Sequence, residues 1–161
     1  SRSADKTARF AAELDCEIAA SVEDAVRSAD VVCTLTTSVT PVVKRQWFKP
    51  GCHLNAVGSS RPTSRELDTA TVASASLFVD RREAALDESG DIRGALTESA
   101  ITPEHILAEL GDVIVGRHPG RRGPDDFTLF KSLGLGAQDL VALEVAMERA
   151  SATGVGTEVP W

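Results

Sequence analysis

Long apolar runs are missing from this sequence. None reaches the roughly 18 residues that a membrane-spanning helix needs. Basic charge is also short: 17 Lys and Arg stand against 24 Asp and Glu, for a formal charge of −7. That balance argues against broad binding to a nucleic-acid backbone, which requires a basic surface, but leaves room for a small anion pocket. Cysteine is sparse and scattered. Cys16, Cys33 and Cys52 form no CxxC pair, so neither a disulfide framework nor a zinc site is expected. They read as buried thiols of a protein in the reducing cytoplasm. His53, His105 and His118 are isolated, and no cluster with metal-ligand spacing exists. There is no GxSxG, and Cys52 and His53 are strand neighbours that point to opposite faces, so no nucleophile–base pair is visible. The full GxGxxG dinucleotide fingerprint is absent, with Gly134-Leu135-Gly136 a fragment of it. Methionine occurs once, at Met147, and the first residue is Ser1. Either something upstream has been removed or this is a piece of a longer chain.

What remains is the composition of a folded domain. The 161 residues are 42% hydrophobic and 25% charged, the balance of an ordinary globular protein. Asp5 to Leu14 reads as a helix, and Glu17 to Ala19 as a short strand. Ser21-Val-Glu-Asp24 has the pattern of a capping box opening a helix that runs to Ser28. Val31 to Leu35 is a continuous apolar run, expected to be a strand covered on both faces. Further strands are expected at Leu54 to Val57, Leu77 to Val79 and Thr128 to Phe130. An alanine-rich helix should begin near Ser64. Thr102-Pro103 predicts a helix start and Gly111 its end. Ala137 to Ala152 carries Leu140, Leu143 and Met147 on one stripe and should end at Gly154. Pro119 to Asp126 reads as an exposed loop and the one candidate linker. Short buried strands alternating with amphipathic helices predict an α/β fold with a parallel sheet.

In such sheets ligands bind beyond the carboxyl ends of the strands. Four strand tails therefore define the search. After Leu35 come Thr36-Thr37-Ser38; after Val57, Gly58-Ser59-Ser60-Arg61-Pro62; after Val79, Asp80 with Glu83 and Glu88; after Phe130, Lys131-Ser132-Leu133-Gly134. Four small or polar tails in one sheet favour a binding cleft over four unrelated loops.

These tails resemble a known family. His53-Leu-Asn-Ala-Val-Gly-Ser-Ser-Arg-Pro62 followed by Arg65-Glu-Leu-Asp68 is similar to a stretch of the ornithine cyclodeaminase/mu-crystallin family. So are Phe78-Val-Asp80 through Glu83-Ala-Ala-Leu86, Glu88-Ser-Gly-Asp91, Ala108-Glu-Leu-Gly111 and Phe130-Lys-Ser-Leu-Gly134, in order and over essentially the whole chain. The resemblance implies a Rossmann domain inserted in a substrate and dimerisation domain. This chain would be its C-terminal part, beginning at the end of the second Rossmann strand. Residues 1–132 would form a partial NAD(P)-binding domain without its first strands and phosphate loop. Residues 133–161 would return to the substrate domain. By itself such a piece should bind cofactor weakly and be inactive.

The resemblance also implies site residues. Ser1, Arg2 and Ser3 would meet the ribose; a guanidinium without a carboxylate suits a 2′-phosphate, so NADP(H) is expected over NAD(H). Thr34, Leu35 and Thr36 would line the adenosine side, and Val57, Gly58, Ser132 and Leu133 the nicotinamide end. Deaminating members carry an Asp where this sequence has Ser60 and a Lys where it has Ser64. A lone serine is no general base near neutral pH. The Ser60-Arg61-Pro62 loop resembles instead the mu-crystallin and imine-reducing branch. The expected reaction is reduction of a cyclic imino acid or ketimine, with Ser60 donating a hydrogen bond and Glu88 balancing iminium charge. The alternatives are an ornithine cyclodeaminase or alanine dehydrogenase, and a binding protein without turnover. The expected partners are a small imino or amino acid and a second copy of the full-length protein, with no nucleic acid and no membrane.

Overall fold

The computed structural model describes residues 3–157 and residue 159. Ser1 and Arg2 lie outside the described residues. The chain begins with helix α1 (Ala4–Leu14) and helix α2 (Val22–Ser28), then strand β1 (Val31–Thr34), strand β2 (His53–Ala56), helix α3 (Thr69–Ser74) and strand β3 (Ser76–Val79). Helices α4 (Arg82–Glu88) and α5 (Gly90–Thr97) follow, then strand β4 (Ile106–Glu109), helix α6 (Leu110–Ile114), strand β5 (Thr128–Lys131) and helix α7 (Gly136–Thr153). The five strands are parallel throughout and ordered β1-β2-β5-β3-β4. This is the α/β fold with a parallel sheet that the alternating pattern predicts, in the Rossmann-like form that the family resemblance implies.

Alternation along the central strands decides the two faces. Leu54 and Ala56 of β2, Leu129 of β5, and Leu77 and Val79 of β3 are buried in one core with Val26, Val72, Ile92 and Ala95 from α2, α3 and α5. Each fully buried leucine there contributes about 1.5–3 kcal/mol of apolar burial. The other face carries His53, Asn55, Phe78, Thr128 and Phe130, which line a groove of about 430 Å³. His53 bridges two strands on that face, its Nδ1 2.7 Å from Thr128 Oγ1 and its Nε2 3.2 Å from Asn55 Oδ1.

Ser21 caps α2 as its spacing predicts, its hydroxyl oxygen accepting from the Asp24 amide at 3.1 Å. Several expectations are corrected. Glu17 to Ala19 is exposed and forms no strand, having no neighbour to pair with. β1 is an edge strand: Val31 and Cys33 are exposed and Thr34 alone is buried, so the apolar run does not lie between two layers. Cys16 is exposed too, and the one buried thiol is Cys52, whose pKa burial pushes up. The alanine-rich helix starts at Thr69, capped by Asp68, not near Ser64. The helix expected from Thr102 is a single turn, Pro103–His105, followed by β4, where Ile106 and Ala108 are buried alternately in strand fashion. Residues 119–126 are no linker: Arg121 ties that loop to Gly51, Asp126 and Thr128, inside the sheet unit. Helix α7 runs one residue longer at each end than its stripe predicts. Its residues 136–149 are all exposed, including Leu140, Leu143 and Met147.

Candidate functional site

Because the strands are parallel, their carboxyl ends meet along one edge. The tails of β1, β2 and β5 come from three adjacent strands. They carry Thr34 to Thr36, Val57 to Ser60, and Ser132 with Leu133, so most of the residues named from the sequence are brought together. Leu35 is 71% exposed and Val57 40% exposed. Two open apolar side chains at adjoining tails are a surface on which a flat ring system can lie. Thr36 and Ser60 are also exposed.

The tails are fixed from beneath by buried carboxylates. Glu66 is fully buried. It accepts from Thr34 Oγ1 at 2.9 Å, from the Thr36 amide at 2.5 Å and from the Gly58 amide at 2.9 Å. One carboxylate thereby joins the β1 and β2 tails. Thr34, expected to face a cofactor, turns its hydroxyl into this knot instead and is 5% exposed. A Cβ at Gly58 would lie 2.2 Å from the Thr36 carbonyl oxygen and 2.6 Å from Glu66 Oε1, so glycine is needed there for the close approach of the two tails.

At β5 the corresponding role belongs to Asp80. Its Oδ2 accepts from Ser132 Oγ at 3.2 Å, the Leu133 amide at 2.6 Å and the Gly134 amide at 2.7 Å. Asp80, read from the sequence as an acidic tail residue, is buried and structural. Lys131, at the end of β5, is fully buried with its Nζ 3.4 Å from Asp91 Oδ2. Burial pushes the Lys131 pKa down and the Asp91 pKa up, and each charge draws the other partly back. Asp91 Oδ1 accepts from the Glu66 and Leu67 amides at 2.8 and 2.9 Å.

The loop carrying Ser60 leans on the junction between α4 and α5. Gly90 sits so close to it that a Cβ would meet the Ser64, Arg61 and Pro62 carbonyl oxygens at 1.9, 2.8 and 2.9 Å. Ser59 is buried and donates to the Ser64 carbonyl at 2.5 Å, tightening the loop. Glu88 is exposed at the end of α4, two residues before that contact. Ser60 and Glu88 thus come from two segments held against each other, both open to solvent. Ser3 caps α1, its Oγ accepting from the Lys6 amide at 3.4 Å. Its neighbours Ser1 and Arg2 fall outside the described residues.

Sequence reasoning missed Glu66, Asp91 and Lys131 as a unit. Each lies within a motif that resembles the family, but a buried charge is invisible to periodicity. Among the described residues no group of His, Cys, Asp and Glu is placed to hold a metal ion, and no helix is long and apolar enough to cross a membrane.

Comparison with known proteins places this geometry. Mouse ketimine reductase mu-crystallin is 42% identical over 149 residues, which are 91% of this chain and 45% of that protein. A Bacillus cereus Delta(1)-pyrroline-2-carboxylate reductase is 40% identical over 137 residues, covering 84% of this chain and 42% of that one. The solved Delta(1)-pyrroline-2-carboxylate reductase of Thermococcus litoralis, in complex with NADH and L-proline, superposes with a TM-score of 0.85 at 39% identity. It covers 94% of this chain and 48% of its own. The chain therefore spans about half the length of the relatives it matches. The family model for the ornithine cyclodeaminase/mu-crystallin family matches residues 1–154, and the chain belongs to that family.

Proposed function

We propose that the intact protein is an NAD(P)H-dependent reductase of the C=N bond in a cyclic imino acid or ketimine. The observation that carries this reading is the likeness to ketimine and pyrroline-2-carboxylate reductases together with a serine, Ser60, on the open loop after β2. A reduced nicotinamide, when bound, supplies a hydride to the imine carbon. The residues here suit its two ends. Leu35 and Thr36 would lie at the adenosine side, and Val57, Gly58 and Leu133 at the nicotinamide side. Thr34 and Ser132 act behind them, through Glu66 and Asp80. This sequence holds no GxGxxG for the pyrophosphate. Ser60 would donate a hydrogen bond to the substrate, and the Glu88 carboxylate would balance the positive charge of the protonated imine.

Arg2, with Ser1 and Ser3, favours NADP(H) through pairing with a 2′-phosphate. The exposed stripe of α7 fits a return of residues 133–161 to a substrate domain, with residues 1–132 forming the cofactor domain. A homodimer acting in the cytoplasm completes the reading. The test is oxidation of NADPH, and separately NADH, by the intact protein with pyrroline-2-carboxylate. Turnover with higher kcat/KM for NADPH is expected, and Ser60→Ala and Glu88→Gln should each lower kcat/KM about tenfold or more, the equivalent of one hydrogen bond of roughly 1.4 kcal/mol. No oxidation with any cyclic imino acid would overturn the proposal. Ammonia release from ornithine or alanine would point to the deaminating class, and tight binding without turnover to a binding protein.

A further inference from the structure

Beneath the three tails lies a charge cluster that the proposed reaction does not use. Lys131, Asp91 and Glu66 are fully buried, and Asp80 nearly so. Lys131 faces Asp91 at 3.4 Å, and the charges of Glu66 and Asp80 reach it as well. Each carboxylate bonds backbone amides where the sheet ladder has ended. Asp91 takes the amides of Glu66 and Leu67, Glu66 those of Thr36 and Gly58, and Asp80 those of Leu133 and Gly134. The Lys131–Asp91 contact leads to the Glu66 backbone, the Glu66 carboxylate leads on to the tails of β1 and β2, and Asp80, next to the Val79 that pairs with Lys131, holds the tail of β5.

Stability alone is a poor reason for this arrangement. Replacing a buried ion pair by apolar side chains of similar volume is often neutral or stabilising, because the desolvation of the charges offsets their attraction. Lys131 stands between Ala56 of β2 and Val79 of β3 in the sheet register, both buried and apolar, where a leucine or methionine would pack. What an apolar side chain would not do is hold carboxylates in place under backbone N–H groups. A carboxylate held beside a cation makes the stronger, charge-assisted hydrogen bonds to those N–H groups.

We propose that Lys131 and Asp91 are positioning residues of the candidate site: their buried charges hold Glu66 and Asp80 in place and so fix the tails of β1, β2 and β5 relative to one another. The consequence for cofactor binding rests on the reading that these tails form the cofactor site. Lys131 touches neither substrate nor cofactor, and acts through the backbone of Thr36, Gly58, Leu133 and Gly134.

The experiment compares the intact protein with Lys131→Met, Asp91→Asn and the double variant. Asp91→Asn is the milder change, since its Oδ1 keeps both backbone bonds. Amide hydrogen exchange reads the tails directly. In Lys131→Met the amides of Thr36, Gly58, Leu133 and Gly134 should lose protection together by tenfold or more, while Leu54 and Leu129 stay within threefold. Steady-state kinetics gives the second readout: the KM for NAD(P)H should rise tenfold or more, with kcat changed less than threefold. The double variant should recover part of that loss, because the uncompensated Asp91 charge is gone. Loss of protection confined to residues 131–134, or spread evenly over the sheet with KM unchanged, would overturn the proposal. If the wild-type protein binds no NAD(P)H, the cofactor reading fails, and the exchange pattern still decides the positioning role.

Discussion

Gly58→Ala is the sharpest single perturbation of the site. The added methyl would lie 2.2 Å from the Thr36 carbonyl oxygen, 2.3 Å from the Thr36 amide nitrogen and 2.6 Å from Glu66 Oε1. Two of the three are backbone atoms of the β1 tail, which cannot swing aside as a side-chain end can. The third is the carboxylate that bonds the Gly58 amide itself. To reach ordinary contact the two tails must part by about 1 Å, and overpacking of that kind costs about 1–3 kcal/mol. Opening the gap also stretches the Gly58 amide bond to Glu66, a hydrogen bond to a charged group worth about 1.5–3 kcal/mol. The two effects share one displacement, so roughly 3 kcal/mol is the combined expectation. At about 2–4 °C per kcal/mol for a domain of this size, Tm should fall by about 6–12 °C. Gly136→Ala is the control: no atom lies within 4 Å of its added Cβ, and it opens α7, where alanine is the better helix former. Thermal unfolding of both variants checks the argument. Gly58→Ala melting within about 2 °C of wild type, less than 1 kcal/mol by the same conversion, would refute the claim that Glu66 and β1 enclose this position.

Other perturbations test neighbouring parts of the fold. Thr34→Val keeps the shape of a buried side chain but removes the donor to Glu66 Oε2; a loss of about 1.5–3 kcal/mol in denaturant titration is expected, and a loss below about 0.5 would mean the bond contributes nothing net. His53 has its pKa lowered from 6.5, first by burial and then by the Arg121 charge, with Asn55 pulling it back. The unfolded chain therefore takes up a proton near pH 6.5 that the folded chain accepts only at lower pH, so stability falls as pH drops from about 6.5 through the lowered folded value. In His53→Gln that slope should flatten in denaturant titrations across the range; an unchanged profile would show that His53 does not set it.

The strands were legible because their burial leaves a pattern that a reader can count. β2 (His53–Ala56), β3 (Ser76–Val79) and β5 (Thr128–Lys131) each fall within one residue of an expected run, since buried apolar residues bounded by turn residues have few other uses. The misreadings have a common cause. Val31 to Thr34 is apolar like an inner strand but sits at the sheet edge, because neighbours across the sheet are not written in the strand itself. The Thr102-Pro103 start was real for one turn, after which the alternation of Ile106 and Ala108 outweighed it. At the site, the exposed residues Leu35, Thr36, Val57 and Ser60 stand where the rule of strand ends puts them. Thr34 and Ser132 stand there too but point inward, since a hydroxyl beside a buried carboxylate is held by it.

That inward turn explains why the family-like motifs are so rich in acids. Glu66, Asp80 and Asp91 each bond backbone N–H groups just beyond a strand or in the adjoining loop. A parallel sheet leaves those amides without ladder partners at the end where ligands bind, and an unpaired buried amide costs free energy comparable to a lost hydrogen bond. Water would satisfy the amides but would leave the tails free to move. Carboxylates satisfy them and tie each tail to a second element: β1 to β2 through Glu66, β5 to the end of β3 through Asp80, and the Glu66 loop to α5 through Asp91. Three acids in a core then demand a cation, and Lys131 is the one that the β5 register places among them. The same residues that made the tails look like chemistry are therefore the frame that presents Leu35, Val57 and Ser60 to whatever binds above them.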